Sequence, residues 1–197
     1  MPLNRHIHDS QDSVPPMTLP NYITIARFLM VPLIVVVMID GHMLAALVLF
    51  VLAGVSDGID GFIARQFDQK SELGAWLDPI ADKFLLVSVF VALGWLGALP
   101  VWLVLLVVSR DGLIIGAVVL SSLMKNPVQV RPLMVSKANT VVQIILPILV
   151  LANLADLVRL DAVIGWMIYA VAGLTIASAT AYLVSWLRHM AGEAKTD

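Results

Sequence analysis

The chain alternates long apolar runs with short polar breaks. A membrane-crossing helix needs about 20 apolar residues, and six runs approach or exceed that length. They cover Ile23–Ile39, Met43–Phe62, Ala75–Leu96, Pro100–Leu123, Ala138–Leu154 and Ala162–Trp186. The breaks Asp40–His42 and Gly97–Pro100 are so short that each must join antiparallel neighbours. Gly41, Gly97 and Pro100 punctuate those reversals. The pattern predicts an all-α integral membrane fold of six transmembrane helices in one domain, residues 18–188. A polar segment, 1–17, precedes it and a short tail, 189–197, follows. Around Pro15, Pro16 and Pro20 the chain is expected to run along the membrane surface before the first span.

Composition supports the same class. Hydrophobic residues make up 60% and charged residues 13%, whereas globular domains carry about a quarter charged residues. There are no cysteines, which excludes disulfides and thiolate metal sites. A net charge of -2 gives no footprint for nucleic acid, so the placement of charge is more telling than its sum. Arg5, Arg65, Lys70, Lys125, Arg131, Lys137, Arg188 and Lys195 fall on one side of the predicted spans, and Arg159 on the other. By the positive-inside rule, both termini are cytoplasmic, as in a multi-pass protein of a bacterial inner membrane or its equivalent. The first seventeen residues lack the apolar core of a signal peptide.

Against this background the carboxylates stand out. Asp57, Asp60, Gly61, Ala64 and Arg65 follow i, i+3, i+4, i+7, i+8 spacing, which places them on one stripe of a helix. Gly74, Asp78 and Asp82 follow i, i+4, i+8 on the next helix. The polar stretch between them reads as a cytoplasmic hairpin, whose folding would set Asp57 and Asp60 against Asp78 and Asp82. One unpaired charge in hydrocarbon costs at least ~2.5–3.5 kcal/mol. Four facing carboxylates also repel one another, and bound divalent cations reverse that penalty. All-oxygen donors suit Mg²⁺ or Mn²⁺, with Ca²⁺ a further option. Two such ions, ~3.5–4 Å apart, can hold a phosphate and stabilise attacking and leaving oxygens. Gly61, Ala64 and Gly74 leave room for a ligand at the backbone, and Arg65 offers a guanidinium fork that matches phosphate. Taken singly, each aspartate can be a helix cap, and the small residues can serve tight helix packing.

The complete frame, D-x2-D-G-x2-A-R-x8-G-x3-D-x3-D, resembles the signature of the CDP-alcohol phosphatidyltransferase family. The resemblance extends over residues 18–188. It implies the six-helix CDP-alcohol phosphotransferase fold, commonly a homodimer, with a polar cavity open to the cytosol. It also implies transfer of a substituted phosphate from a CDP-linked donor, such as CDP-diacylglycerol, to an alcohol with release of CMP. On that likeness Asp57, Asp60, Asp78 and Asp82 are metal ligands for two Mg²⁺ or Mn²⁺ ions, and Asp82 is also the general base. Asp57, Asp60, Gly61, Ala64, Arg65, Gly74 and Asp78 then lie along the CDP pocket.

Other polar residues lie near the same end of the spans. Asn21, Thr24 and Arg27 open the first span in an arrangement that also resembles family members, where it serves the nucleotide or lipid phosphate. A cap plus a snorkelling arginine is the plainer reading. Arg110 and Asp111 lie mid-span, where ionisable groups face a protein interior or cavity. As i, i+1 neighbours they are not expected to face each other, so each calls for a partner elsewhere, another helix or a substrate phosphate, and both are candidates for the lipid-phosphate or acceptor site. Arg131, Ser136, Lys137, Asn139 and Gln143 form a polar run into the fifth span. Of these, Arg131, Lys137 and Asn139 are candidates for an anionic acceptor, with positive-inside bias as the plainer account of the cations. Lys83 turns away from the carboxylate stripe and reads as structural, and the four histidines are scattered.

The stretch Val130–Gln143, with Ser109-Arg110-Asp111 upstream, is similar to the corresponding part of eukaryotic-type cardiolipin synthases. That likeness implies phosphatidylglycerol as acceptor. Phosphatidylglycerophosphate synthases, which use glycerol 3-phosphate, share the frame and a Lys-x2-Thr pattern that Lys137 and Thr140 satisfy. From a different class, a divalent-cation transporter would also place carboxylates in a membrane. Clustering of the aspartates near one face, rather than along a path, argues against it. A non-catalytic scaffold is a third reading, disfavoured by the intact frame.

Overall fold

In the computed structural model the described residues are 19–66, 72–123 and 134–190, with side chains described over 26–56, 80–117 and 134–187. They form six α-helices: α1 Leu19–Ile39, α2 Met43–Gln66, α3 Glu72–Trp95, α4 Val101–Leu123, α5 Met134–Leu154 and α6 Asp161–Met190. Among the described residues there is no strand. Each helix corresponds to one predicted apolar run, but the ends differ in a consistent way. At the tight turns, boundaries agree to about a residue. At the opposite ends, α1, α2, α3, α5 and α6 each run about one turn further than the apolar run. Hydropathy stops at the first polar residues, whereas the backbone hydrogen-bond ladder continues through them.

Three short connections close three helical hairpins by one device. After α1, Gly41 N donates to Met38 O (3.1 Å) and His42 N to Val37 O (3.0 Å), with Gly41 at φ 82°. After α3, Gly97 N donates to Gly94 O and Ala98 N to Leu93 O, with Gly97 at φ 74°. This paired bonding satisfies the last carbonyls of a helix and needs a left-handed residue, for which glycine has no steric cost. After α5 the same pattern recurs with Asp156 at φ 55° in the glycine position. Asn153 then spans the turn: its Oδ1 accepts from Leu160 N (2.8 Å) and its Nδ2 donates to Asp161 Oδ1 (3.0 Å).

The helices close a ring in the spatial order α1, α3, α4, α6, α5, α2, with α3 also touching α5 across it. Ile34, Met38, Val89, Phe90, Leu93, Leu103, Val107, Leu146, Leu151 and Val171 are fully buried at its centre. Gly94 lets α3 and α4 approach closely, since a Cβ there would stand 2.8 Å from Val104 Cγ2. The outer surface of the described residues carries many large apolar side chains: Leu29, Trp95, Met134, Trp166 and Tyr169 are each at least two-thirds exposed. Apolar exposure of this extent suits hydrocarbon rather than water.

Among the described residues, two helices are long and apolar enough to cross a membrane, Met134–Leu154 and Asp161–Leu187, with mean hydropathy 1.7 and 1.8. Ala26–Ile39 and Met43–Ser56 are shorter apolar stretches. The described parts of α3 and α4 each carry two adjacent charged residues, Asp82 and Lys83 on α3 and Arg110 and Asp111 on α4. Among the described residues the fold is all-helical with six helices, two of which are long and apolar enough to cross a membrane.

Candidate functional site

The site is built on α3, where Asp82 and Lys83 point in directions about 100° apart, as neighbours on a helix must. Asp82 faces α1, and Arg27 Nη1 lies 2.7 Å from its Oδ1. The Arg27 side chain is 3% exposed and that of Asp82 44%. A guanidinium removed from water in this way requires an anion beside it.

Asp82 also lies at the wall of a cavity of about 210 Å³ between α2, α3 and α5. Phe50, Val51, Gly54, Leu85, Ile144 and Ile148 supply much of its apolar lining, and Asp82 is the charged residue among those that line it. The cavity is an oily recess with a half-exposed carboxylate on it.

Lys83 turns the other way, toward α4, and its Nζ lies 2.8 Å from Asp111 Oδ1. The same oxygen accepts from Arg110 Nη1 at 2.6 Å. This corrects the expectation that Arg110 and Asp111 do not pair. Their Cβ atoms diverge, but the arginine stem is long enough to fold its head back onto its neighbour. Both side chains are buried, and ionic partners are strongly favoured there. Arg110 Nη2 donates to Ser136 Oγ (2.6 Å) and Ser178 Oγ (2.7 Å), and its guanidinium stands 5.7 Å from the Tyr182 ring centre. Deeper in the bundle, Gln143 Nε2 donates to Thr175 Oγ1 (3.2 Å), which donates to Asn139 Oδ1 (3.0 Å). The network around Arg110 therefore links α3, α4, α5 and α6, and the Gln143–Thr175–Asn139 chain ties α5 to α6 separately.

Among the predicted site residues the structure brings Arg27 to Asp82 and Arg110 to Asp111. It buries Asn139 against Thr175 and leaves Lys137 exposed. The backbone places Asn21 and Thr24 on α1, Asp57, Asp60, Gly61, Ala64 and Arg65 on α2, and Gly74 and Asp78 on α3. Their side chains lie outside the described residues, as does the whole of Arg131. The expected facing of Asp57 and Asp60 against Asp78 thus falls outside them too. Among the described residues no three acidic or histidine side chains gather. The chemistry of Asp82 nonetheless fits a hard divalent cation, because its half-exposed carboxylate offers oxygen donors.

Thr175, Ser178 and Tyr182 were not singled out from sequence. Their i, i+3, i+7 spacing on α6 matches that of Ser136, Asn139 and Gln143 on α5. Two facing polar stripes in otherwise apolar helices were the available signal, since hydrogen bonds between such stripes tie membrane helices together.

Residues 17–180 match the family model for CDP-alcohol phosphatidyltransferase. The chain belongs to that family. It is 37% identical over 187 residues to the cardiolipin synthase (CMP-forming) of Homo sapiens, a match covering 85% of this chain and 61% of that protein. It is 33% identical over 185 residues to a cardiolipin synthase (CMP-forming) / mitochondrial hydrolase fusion protein of Schizosaccharomyces pombe, covering 85% of this chain and 31% of the fusion. A cardiolipin synthase (CMP-forming) of Streptomyces coelicolor is 37% identical over 108 residues, half of this chain and 49% of its own. The chain thus spans less than two thirds of the length of these relatives.

Proposed function

We propose that the protein transfers a phosphatidyl group from CDP-diacylglycerol to a hydroxyl of phosphatidylglycerol, giving cardiolipin and CMP. Family membership supports the reaction class, and the relatives' names support this acceptor. The observation that carries the reading is the position of Asp82, a half-exposed carboxylate on the wall of an apolar recess. That juxtaposition suits a reaction in which both substrates bring acyl tails to a polar head. Glycerol 3-phosphate, small and doubly charged, calls instead for a compact basic pocket.

In this reading the acceptor hydroxyl oxygen forms a bond to the phosphatidyl phosphorus of the donor. The bond from that phosphorus to the CMP oxygen breaks, and CMP leaves. Asp82 receives the hydroxyl proton. Arg27 holds Asp82 Oδ1 in place during the approach. Asp57, Asp60, Asp78 and Asp82 would hold two Mg²⁺ or Mn²⁺ ions, which when bound offset the charge of the pyrophosphate and of departing CMP. Gly61, Ala64, Arg65 and Gly74 would serve the CDP pocket, Arg65 through a guanidinium that suits phosphate. Asn21, Thr24, Arg131 and Lys137 serve the lipid or acceptor phosphate. All six helices span the membrane, both termini are cytosolic, the site faces the cytosol and the enzyme is a homodimer.

The test is purified protein given radiolabelled CDP-diacylglycerol with phosphatidylglycerol or, separately, with glycerol 3-phosphate, with and without chelator. Labelled cardiolipin and CMP, lost on chelation, are expected with phosphatidylglycerol. Labelled phosphatidylglycerophosphate from the second incubation alone would reassign the acceptor. Absence of CMP under every metal-replete condition would reject phosphatidyl transfer.

A further inference from the structure

We propose that Asp111 is a positioning residue for the reacting carboxylate, acting through Lys83 to set the rotation of α3 about its own axis. The inference rests on the assignment of Asp82 as base. Asp82 and Lys83 are consecutive, so their side chains leave α3 about 100° apart. Each ends in an ion pair with a different helix: Asp82 with Arg27 of α1 at 2.7 Å, and Lys83 with Asp111 of α4 at 2.8 Å. Two anchors in different directions fix a rotation that one anchor leaves loose.

The far side of the clamp is itself fixed. Asp111 is 4% exposed and is held by Arg110, which is tied to Ser136 on α5 and Ser178 on α6. Lys83 is thus fastened to α4 and, through Asp111 and Arg110, coupled to α5 and α6. Its own side chain is one-third exposed, so solvation alone does not account for its aim into a buried carboxylate.

The magnitude decides whether such a clamp matters. A carboxylate lies about 5 Å from its helix axis, so a turn of about 12° moves it by about 1 Å. Misplacing a catalytic group by that distance can cost about 100-fold in rate. A clamp that restrains α3 to within a few degrees therefore acts on turnover without touching substrate.

Two measurements test this. The first is kinetic. Lys83→Met leaves the Arg110–Asp111 pair intact and should lower kcat about 30- to 100-fold, with both KM values within about 2-fold. Lys83→Arg should restore most of the loss. Asp111→Asn should lower kcat similarly, and the double variant Lys83→Met/Asp111→Asn should be no worse than either single one. Unchanged kcat in Lys83→Met, or losses that multiply in the double variant, would overturn the proposal.

The second measurement needs no turnover. The chain has no cysteine, and the Phe28 and Phe84 rings of α1 and α3 lie 5.8 Å apart. Cross-linking of Phe28→Cys to Phe84→Cys by a short bifunctional thiol reagent reports the rotation of α3 against α1. The rate should fall about 5-fold or more when Lys83→Met is added and return with Lys83→Arg. Equal rates in all three would overturn the clamp. An unmodified protein that makes no CMP would instead remove the proposed function, while the cross-linking still decides the clamp.

Discussion

Arg27 on α1 and Asp82 on α3 are 55 residues apart in the chain and 2.7 Å apart in space. The pair is lopsided, because the guanidinium is 3% exposed and the carboxylate 44%. Water can compensate Asp82 for the loss of its partner far better than it can compensate Arg27.

The two ends of this pair should therefore respond differently to mutation. Asp82→Asn removes one anion from beside a buried cation and is expected to cost about 1–3 kcal/mol of stability while abolishing CMP release. Arg27→Met should cost only about 1 kcal/mol, since the carboxylate it leaves is half-exposed. The double variant should regain most of the stability lost in Asp82→Asn and none of the activity. Unfolding in detergent micelles measures the first effect and CMP release the second. Equal destabilisation by the two single changes would contradict the asymmetry.

Gly54 lines the recess that Asp82 borders, and a Cβ at this position meets nothing within 4 Å. Gly54→Leu should fill part of that space, its Cβ entering without a clash. Turnover of a long-chain lipid acceptor is expected to fall about 10-fold, roughly the worth of one methylene's fit in a pocket. A short-chain analogue should change by less than about 2-fold. A chain-length series distinguishes the two, and identical losses for both would mean that the recess holds no acyl chain.

Gly94→Ala should destabilise the α3–α4 hairpin by about 1–3 kcal/mol, because its Cβ would stand 2.8 Å from Val104 Cγ2. A β-branched residue in a helix has little rotamer freedom with which to yield. Adding Val104→Ala should recover most of the loss. Additive losses in the double variant, read by thermal unfolding, would count against this contact.

At Asp156, φ is 55° in a position that the other two hairpins give to glycine. Asp156→Gly removes the left-handed strain and should raise stability by up to about 1 kcal/mol, whereas Asp156→Val should lower it by about 1–2 kcal/mol. Activity should be unchanged in both, as the turn lies at the far end of α5 from Ser136.

Gly41 and Gly97 made two of the reversals legible, since glycine is the usual residue at a left-handed helix end. The third was harder to see because an aspartate stands in that place and Asn153 supplies the closing hydrogen bonds. Arg110 and Asp111 illustrate a different limit. Their position inside an apolar run announced that they needed partners, but helical spacing pointed them apart. It was the burial of both heads that drew them together with Lys83. Thr175 and Ser178 are small hydroxyl residues that sit comfortably in any apolar helix, so only their alignment with α5 gives them meaning.

Local pattern alone determined the six helices, two of their tight turns, the acidic frame and the family to which it belongs. All of these depend on side-chain chemistry and on spacing within a turn or two of helix. Tertiary structure alone decided the ring order α1, α3, α4, α6, α5, α2. It also decided that Arg27 meets Asp82, that Lys83 reaches Asp111, and that an apolar recess opens beside the carboxylate. Those outcomes join residues tens of positions apart. In a bundle whose helices are apolar all round, hydropathy does not say which faces meet; close packing and the demand of each buried charge for a partner do.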